Sequence, residues 1–504
     1  MLKGTTRNEI LESIKFLANK HDSIHIKDLV NKERLSNFQI NTDQLSYDYS
    51  KQRLTQEVLD ELLLIPEKID LRRAIFNISE GGLLNTTEDR HVSHMLHRGT
   101  NNSKDTAEFK EISKQTDMVR EFIKDIQKIP ESYINAIISI SIGGSRLGPE
   151  LLSEVYGNPS SKIKVYYCSS YDLIELKEAL SVCNPARTII VISSKSFSTP
   201  EVIENANKAK NWLENLVGES CWDQIFGISS NKKGMTEFGI KDTNQFAILD
   251  SVGGRYSMWS SISLPAIIDM GWKNFEEFKE GAFEADNHFM KSAWSENIPV
   301  LMALISCWNM NGLGINNLGI FTYDYKIRSL VKYLSQMGME SNGKSFSNEN
   351  NKSLFKTCPL IWGGYGPEAQ HSVFQWLLQG TDYSACDFIG IKGDADASSN
   401  SYEMLLAQVA ALSLGEENLG FKYRSVEGNN PTSLLKLKNL NPRSLGFLIA
   451  SYEHKVFVES QIYGINAFDQ WGVELGKKLY KKYDSDPTLM ESFFSKLFLN
   501  KKSK

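Results

Sequence analysis

Six cysteines in 504 residues are few, and Cys168, Cys183, Cys221, Cys307, Cys358 and Cys386 show no C-x-x-C spacing. That excludes a disulfide framework and a thiolate zinc site, and leaves reduced, mostly buried thiols. No apolar run approaches the roughly 18 residues a membrane span needs, and Met1 to Arg7 has no apolar core of a secretory leader. The expected compartment is the cytoplasm, and no membrane partner is expected. Charge of one sign is also scarce: the net charge is -5, and no Lys/Arg block exceeds the tail Lys501-Lys502-Ser503-Lys504. A nucleic-acid partner, which needs a basic footprint, is therefore excluded, and any bound anion must be held by a local pocket. Eight histidines are scattered; only His91, His94 and His97 crowd, at spacings of three that a helix could gather onto a similar face for a metal. No metal is expected.

What the chain does have is 41% hydrophobic and 23% charged residues, enough for a large core split into domains. From about Ser132, short apolar strands alternate with amphipathic helices, the pattern of βαβ units and a largely parallel sheet. Ile134 to Ile142, Ile163 to Cys168, Thr188 to Ile192, Gln224 to Ile228 and Gln245 to Leu249 read as strands, with helices over Leu147 to Tyr156 and Pro200 to Leu216. After a helical stretch beyond Ser257, Leu318 to Thr322, Leu360 to Trp362, Ala385 to Ile391 and Ser433 to Leu437 read as strands again, with helices over Lys326 to Met339 and Ser401 to Leu414. The fold class is α/β, with two doubly wound units in tandem behind a mainly helical N-terminal region. The expected division is a helical segment over 1–115 packing on the second α/β domain, a first domain over 116–285, a second over 286–480 and a short tail over 481–504.

Several segments can carry chemistry. Ser193-Ser194-Lys195-Ser196-Phe197-Ser198-Thr199-Pro200-Glu201 follows a strand and opens a helix, with Thr199 at the N-cap and Pro200 first inside. Free N–H groups, hydroxyls and the positive helix end there suit a phosphate; an ordinary Ser/Thr cap is the plainer alternative. Gly143-Gly144-Ser145 is a second turn at a strand's carboxyl end, with neither dinucleotide nor P-loop spacing. Gly253-Gly254-Arg255 places a fixed cation where it could meet a developing oxyanion, or simply make a loop salt bridge. Glu340 ends a helical pattern with Gln336 one turn earlier, and a carboxylate so placed could act as a general base. His371 falls just inside a helix starting near Pro367, whose dipole would favour the neutral ring. In Phe468 to Lys477 a helical wheel puts Phe468, Trp471 and Leu475 on one face and Gln470, Glu474 and Lys477 on the other.

Taken together these segments resemble the glucose-6-phosphate isomerase family, in order from about Asp48 to Lys477. The blocks are Asp48-Tyr49-Ser50-Lys51, Asn85 to Arg90 with Arg98, Gly143 to Pro149, Ser194 to Thr199, Gly253 to Ser257, Met339 to Lys344, Gln370-His371 and Phe468 to Lys477. The resemblance implies a cofactor-free, reversible interconversion of glucose 6-phosphate and fructose 6-phosphate through ring opening and a cis-enediol, in glycolysis and gluconeogenesis. It implies two sugar-isomerase (SIS-type) α/β domains in a homodimer. It further implies that Ser194, Lys195, Ser196 and Thr199 hold the phosphate with Gly144 and Ser145. Glu340 would move the proton, Arg255 would stabilise the enediolate beside Gln470, Gln336 would bind the substrate, and His371, from the partner subunit, would serve ring opening with Lys477. Glu201 would support Lys477 or His371. The sequence departs from the family pattern at Ser141, over Gly363 to Ala369 and at Asn430. A sugar-phosphate-binding regulator of the same fold, without turnover, is the alternative.

Overall fold

Two strands, β1 (Gln39–Asn41) and β2 (Leu45–Lys51), stand in the region expected to be mainly helical. The alternation Leu45, Tyr47, Tyr49, all buried, is the strand signal that the surrounding helical periodicity obscures. The computed structural model describes residues 4–99, 106–129, 133–158, 163–392, 398–486 and 489. They fall into two units, Met1–Ala467 and Phe468–Lys504.

In the larger unit, β3 (Ala136–Ile140) is buried along its whole length, so it needs a neighbour on each edge and cover on each face. It lies between β4 (Lys164–Cys168) and β5 (Thr188–Ser193), and β6 (Ile225–Ser229) and β7 (Gln245–Ala247) extend the sheet. All four pairings are parallel. The order β4-β3-β5-β6-β7 reverses direction at β3 and β5, so the crevice beyond their carboxyl ends is the place where such a sheet binds ligands. Ile138, Ile140, Ile190 and Ile192 form a buried core with Ala206, Ala209 and Leu213 of the helix Pro200–Val217, which covers one face of the sheet.

A second sheet repeats the plan. β8 (Asn317–Thr322), β9 (Leu360–Tyr365), β10 (Ala385–Ile391) and β11 (Thr432–Leu437) run in the order β9-β8-β10-β11, all parallel. β2 then adds antiparallel to β11 and β1 to β2, which places an N-terminal hairpin on the far edge. The helix Pro442–Tyr463 is buried on nearly every side and so lacks the amphipathic stripe of a surface helix. The expected helix over Lys326 to Met339 is present but displaced: a single 3-10 turn, Tyr325–Ile327, precedes Leu330–Asn342.

In the smaller unit the run from Phe468 is not one helix. Gln470 is extended in φ, Trp471–Val473 is a 3-10 turn, and the α-helix begins only at Glu474. The wheel drawn through the whole run therefore holds only from Glu474 onward. No helix of the described residues is long and apolar enough to cross a membrane.

Candidate active site

The two loops at the switch point of the first sheet are built differently. After β3, Gly143 takes φ +60° and caps the helix Gly144–Tyr156 without a side chain, leaving the first N–H groups open to an anion. After β5, Thr199 is the N-cap of Pro200–Val217, as expected, but its hydroxyl does not cap. It lies instead 3.2 Å from Ser194 Oγ, so two hydroxyls meet at an uncapped helix start. Phe197 holds the loop in shape: it adopts φ +49°, is buried, and meets Phe238 edge-on at 5.9 Å. Asn231 Nδ2 donates to Ser196 O at 3.0 Å, and the Ser229 and Ser230 hydroxyls both donate to Lys195 O at 2.9 Å. The Ser196 hydroxyl, exposed, accepts from Ser198. Arg146, next to Ser145, is held by Glu150 and Glu175 at 2.9 Å, so its charge is already matched.

The Lys195 ammonium turns toward the Arg255 loop. It donates to Asp250 O at 2.8 Å and Val252 O at 3.1 Å. Burial, and then the nearby Arg90 guanidinium, pull it down to about 8 against the carboxylates of Asp250 and Glu88. Lys195 thus ties the β5 loop to the segment leading into Gly253.

Gly144 makes the second tie. A Cβ on it would stand 2.3 Å from Gly254 C and 2.5 Å from Arg255 N, so only glycine lets this helix start rest against the arginine loop. Arg255 is 2% exposed; its Nε donates to Ser341 Oγ at 2.7 Å and its Nη2 to Ala467 O at 2.6 Å. Tyr333 Oη donates to Arg255 O at 3.0 Å, and Tyr256 Oη lies 2.8 Å from the same Ser341 hydroxyl. With the guanidinium so fixed, its Nη1 faces Glu340 Oε1 at 3.7 Å, beyond hydrogen-bond length. The Glu340 side chain is 24% exposed, so it reaches toward solvent where Arg255 does not. One turn back, Gln336 presents its Nε2 3.1 Å from where a Gly143 Cβ would be, and its Oε1 is buried without a hydrogen-bond partner. The Gly143 turn, the Arg255 loop and the Gln336–Glu340 helix face therefore converge.

Behind Arg255 lies a buried charged network. Arg98 pairs with Asp286 at 2.7 Å and with Glu453, while Glu453 Oε1 accepts from Trp259 Nε1 at 2.9 Å. His454 meets Asp286 at 2.7 Å, and His94 stacks on Tyr256 at 4.8 Å. Burial holds His94 well below the usual histidine range and His97 at about 3. His91 meets Gly81 O at 2.7 Å instead. The three histidines share no helix face, because only Leu96–Arg98 is helical there, as one 3-10 turn.

His371 is exposed, in a turn between the one-turn helix Gly366–Ala369 and Phe374–Gln379, so it is not inside a helix as expected. The altered loop feeding it packs on Tyr323, whose hydroxyl accepts from Gln370 Nε2 at 2.8 Å. Asn430 is buried; its Nδ2 donates to Leu377 O and its Oδ1 accepts from Ser384 N. Ser141 Oγ is buried without a hydrogen-bond partner. Glu201 is part-buried in the first turn after Thr199, its carbonyl accepting from Asn205. In the smaller unit, Lys477 Nζ donates to Glu474 Oε1 at 2.8 Å. Ser341 and the Ala467 carbonyl were not foreseen. Ser341 adjoins Glu340, so the block itself was the signal; a backbone carbonyl gives none.

Over residues 48–494 the chain matches the family model of phosphoglucose isomerase. The chain belongs to that family. It is 36% identical over 509 residues to a glucose-6-phosphate isomerase of Acinetobacter baumannii, covering 93% of this chain and 91% of the relative. It is 37% identical over 518 residues to one of Buchnera aphidicola, covering 95% and 92%. The crystal structure of a glucose-6-phosphate isomerase from Chlamydia trachomatis superposes with a TM-score of 0.89 at 29% identity, covering 97% of this chain and 99% of that one. As a phosphoglucose isomerase family member the chain is an aldose-ketose isomerase with the α/β fold expected from its sequence.

Proposed function

We propose that this phosphoglucose isomerase family chain interconverts glucose 6-phosphate and fructose 6-phosphate with Glu340 as the base that moves the proton between C1 and C2. The observation that carries the reading is the Arg255–Glu340 pair, 3.7 Å apart, with the guanidinium anchored through Nε to Ser341 Oγ and through Nη2 to Ala467 O. Removing a proton beside a carbonyl passes negative charge to oxygen, and a preorganised cation beside the base lowers the cost of that charge. Ser194, Thr199 and the Gly144-Ser145 helix start would hold the phosphate, with Ser196 at the rim and Lys195 as a partly shared cation. Gln336 would meet a sugar hydroxyl with its unsatisfied amide oxygen. His371 and Lys477 in ring opening, Gln470 at the enediolate and Glu201 in support rest on the family motifs alone.

In this reading the phosphate is held within 116–285 and the base within 286–480. We further propose a cytoplasmic homodimer in which His371 of one subunit serves the other's site. Its support is that His371 is exposed, and that the excursion between Glu416 and Val426 carries Leu419 at 93%, Phe421 at 51% and Tyr423 at 70% exposure. Such apolar surface favours cover by a second copy.

The test is turnover of fructose 6-phosphate by purified Glu340→Gln enzyme, read through a coupled dehydrogenase, beside molecular mass in solution. Glu340→Gln should lose turnover by roughly 100- to 10,000-fold while fructose 6-phosphate still binds. Turnover within tenfold of the parent would remove Glu340 from the role.

A further inference from the structure

The block that carries Glu340 also carries Lys344, to which the reaction so far gives no task. Its ammonium lies past the end of the Leu330–Asn342 helix and donates to Glu340 O at 3.3 Å, to Ser341 O, and to Asn466 O at 2.7 Å. A cation there meets helix-end carbonyls that have no partner within the helix. The third contact reaches further. Asn466 is 5% exposed and its Nδ2 donates to Asn85 Oδ1 and Thr87 Oγ1, each at 2.9 Å, so its position is fixed from two sides. The next carbonyl, Ala467 O, is the one that accepts Arg255 Nη2.

Successive carbonyls of one fixed peptide thus receive the two cations. Lys344 binds the Glu340–Ser341 backbone to Asn466, Arg255 binds Ala467, and Arg255 Nε returns to Ser341 Oγ. The hydrogen bonds close a ring, and the 3.7 Å gap between Arg255 and Glu340 adjoins it. We propose that Lys344 is a positioning residue: by closing this ring it sets where the Glu340 carboxylate stands relative to the Arg255 guanidinium. The inference rests on the reading of Glu340 as the base.

The effect belongs in the chemical step rather than in substrate capture, because Lys344 holds the backbone of Glu340 itself. Lys344→Met should lower kcat for fructose 6-phosphate about 30-fold, short of the roughly 100-fold cost of a 1 Å misplacement, with KM within twofold. Lys344→Arg keeps a cation at the helix end and should recover kcat to within about fivefold. If Lys344→Met does not fold, Lys344→Gln is read in the same way. A role in stability alone would lower the melting temperature and leave kcat per folded enzyme unchanged, which overturns the proposal. So does a loss of kcat that Lys344→Arg fails to recover. Glu340→Gln is measured alongside. If it stays active, the base assignment has failed; if it is inactive while Lys344→Met keeps its kcat, only the positioning role has.

Discussion

The contact between Gly144 and the arginine loop allows a quantitative test. In Gly144→Ala the added Cβ would stand 2.3 Å from Gly254 C, 2.4 Å from Gly254 O and 2.5 Å from Arg255 N, against the 3.4 Å or more of ordinary contact. All three atoms are backbone, so no side chain can rotate away, and the helix start and the loop must part by about 1 Å. Overpacking of this kind costs about 1–3 kcal/mol of stability. The larger effect falls on catalysis, because the atoms displaced are those that carry the Arg255 guanidinium and present the Gly144 and Ser145 N–H groups. A shift of about 1 Å in such a constellation costs roughly 100-fold in rate. The assay is steady-state turnover of fructose 6-phosphate with a melting curve for the same preparation. Gly253→Ala is the matched control: its Cβ would lie 3.5 Å from Tyr256 Cδ2, an ordinary contact in the same loop, and should cost less than fivefold. A Gly144→Ala enzyme within threefold of the parent, or a Gly253→Ala enzyme damaged as severely, would refute the claim that this approach sets the arginine.

Two further outcomes follow from buried charge. Lys195 is pulled down to about 8 by burial, so the free enzyme loses that cation as pH rises through 8. KM for fructose 6-phosphate should climb above pH 8, and Lys195→Arg, which stays charged, should flatten the climb; the unfolded chain keeps the proton to higher pH, so this group's share of stability grows over the same interval. Lys455 Nζ and Glu459 Oε1 pair at 2.7 Å, 5% and 4% exposed, and Glu459 Oε2 accepts from Asn342 Nδ2 at 3.0 Å. Lys455→Met strands the Glu459 carboxylate near Asp387, itself raised to about 6 by burial, and should cost about 3–5 kcal/mol in urea unfolding, most of it regained when Glu459→Gln is added.

Much of the fold is visible in the apolar strands because a parallel sheet buries both faces. Ala136–Ile140 and Ala385–Ile391 show near-continuous burial that no surface element would tolerate. The hairpin of β1 and β2 is harder to see, since β1 has only three residues and the alternation in β2 is short and lies between helices. His371 illustrates a second limit: Gly366 and Pro367 read as a helix start, but the helix lasts one turn, and its length depends on how the loop packs against Tyr323. At the candidate site, Glu340 and Arg255 lie in recognisable blocks, yet their separation depends on Ser341 Oγ and on the carbonyls of Asn466 and Ala467. Carbonyls are common to every residue type, so composition and spacing carry no record of them.

The two sheets contribute opposite ends to this centre. The loops proposed to hold phosphate follow the carboxyl ends of β3 and β5, whereas Glu340 lies in the last turn of a helix whose Ser335 and Gly338 lie against Ile361 at the start of β9. During synthesis, the loops over residues 143–199 leave the ribosome long before Asn466 and Ala467, the last residues of the ring around Arg255. On the proposed assignment, an emerging chain would thus carry the loops that would hold phosphate well before it carries the segment that fixes Arg255.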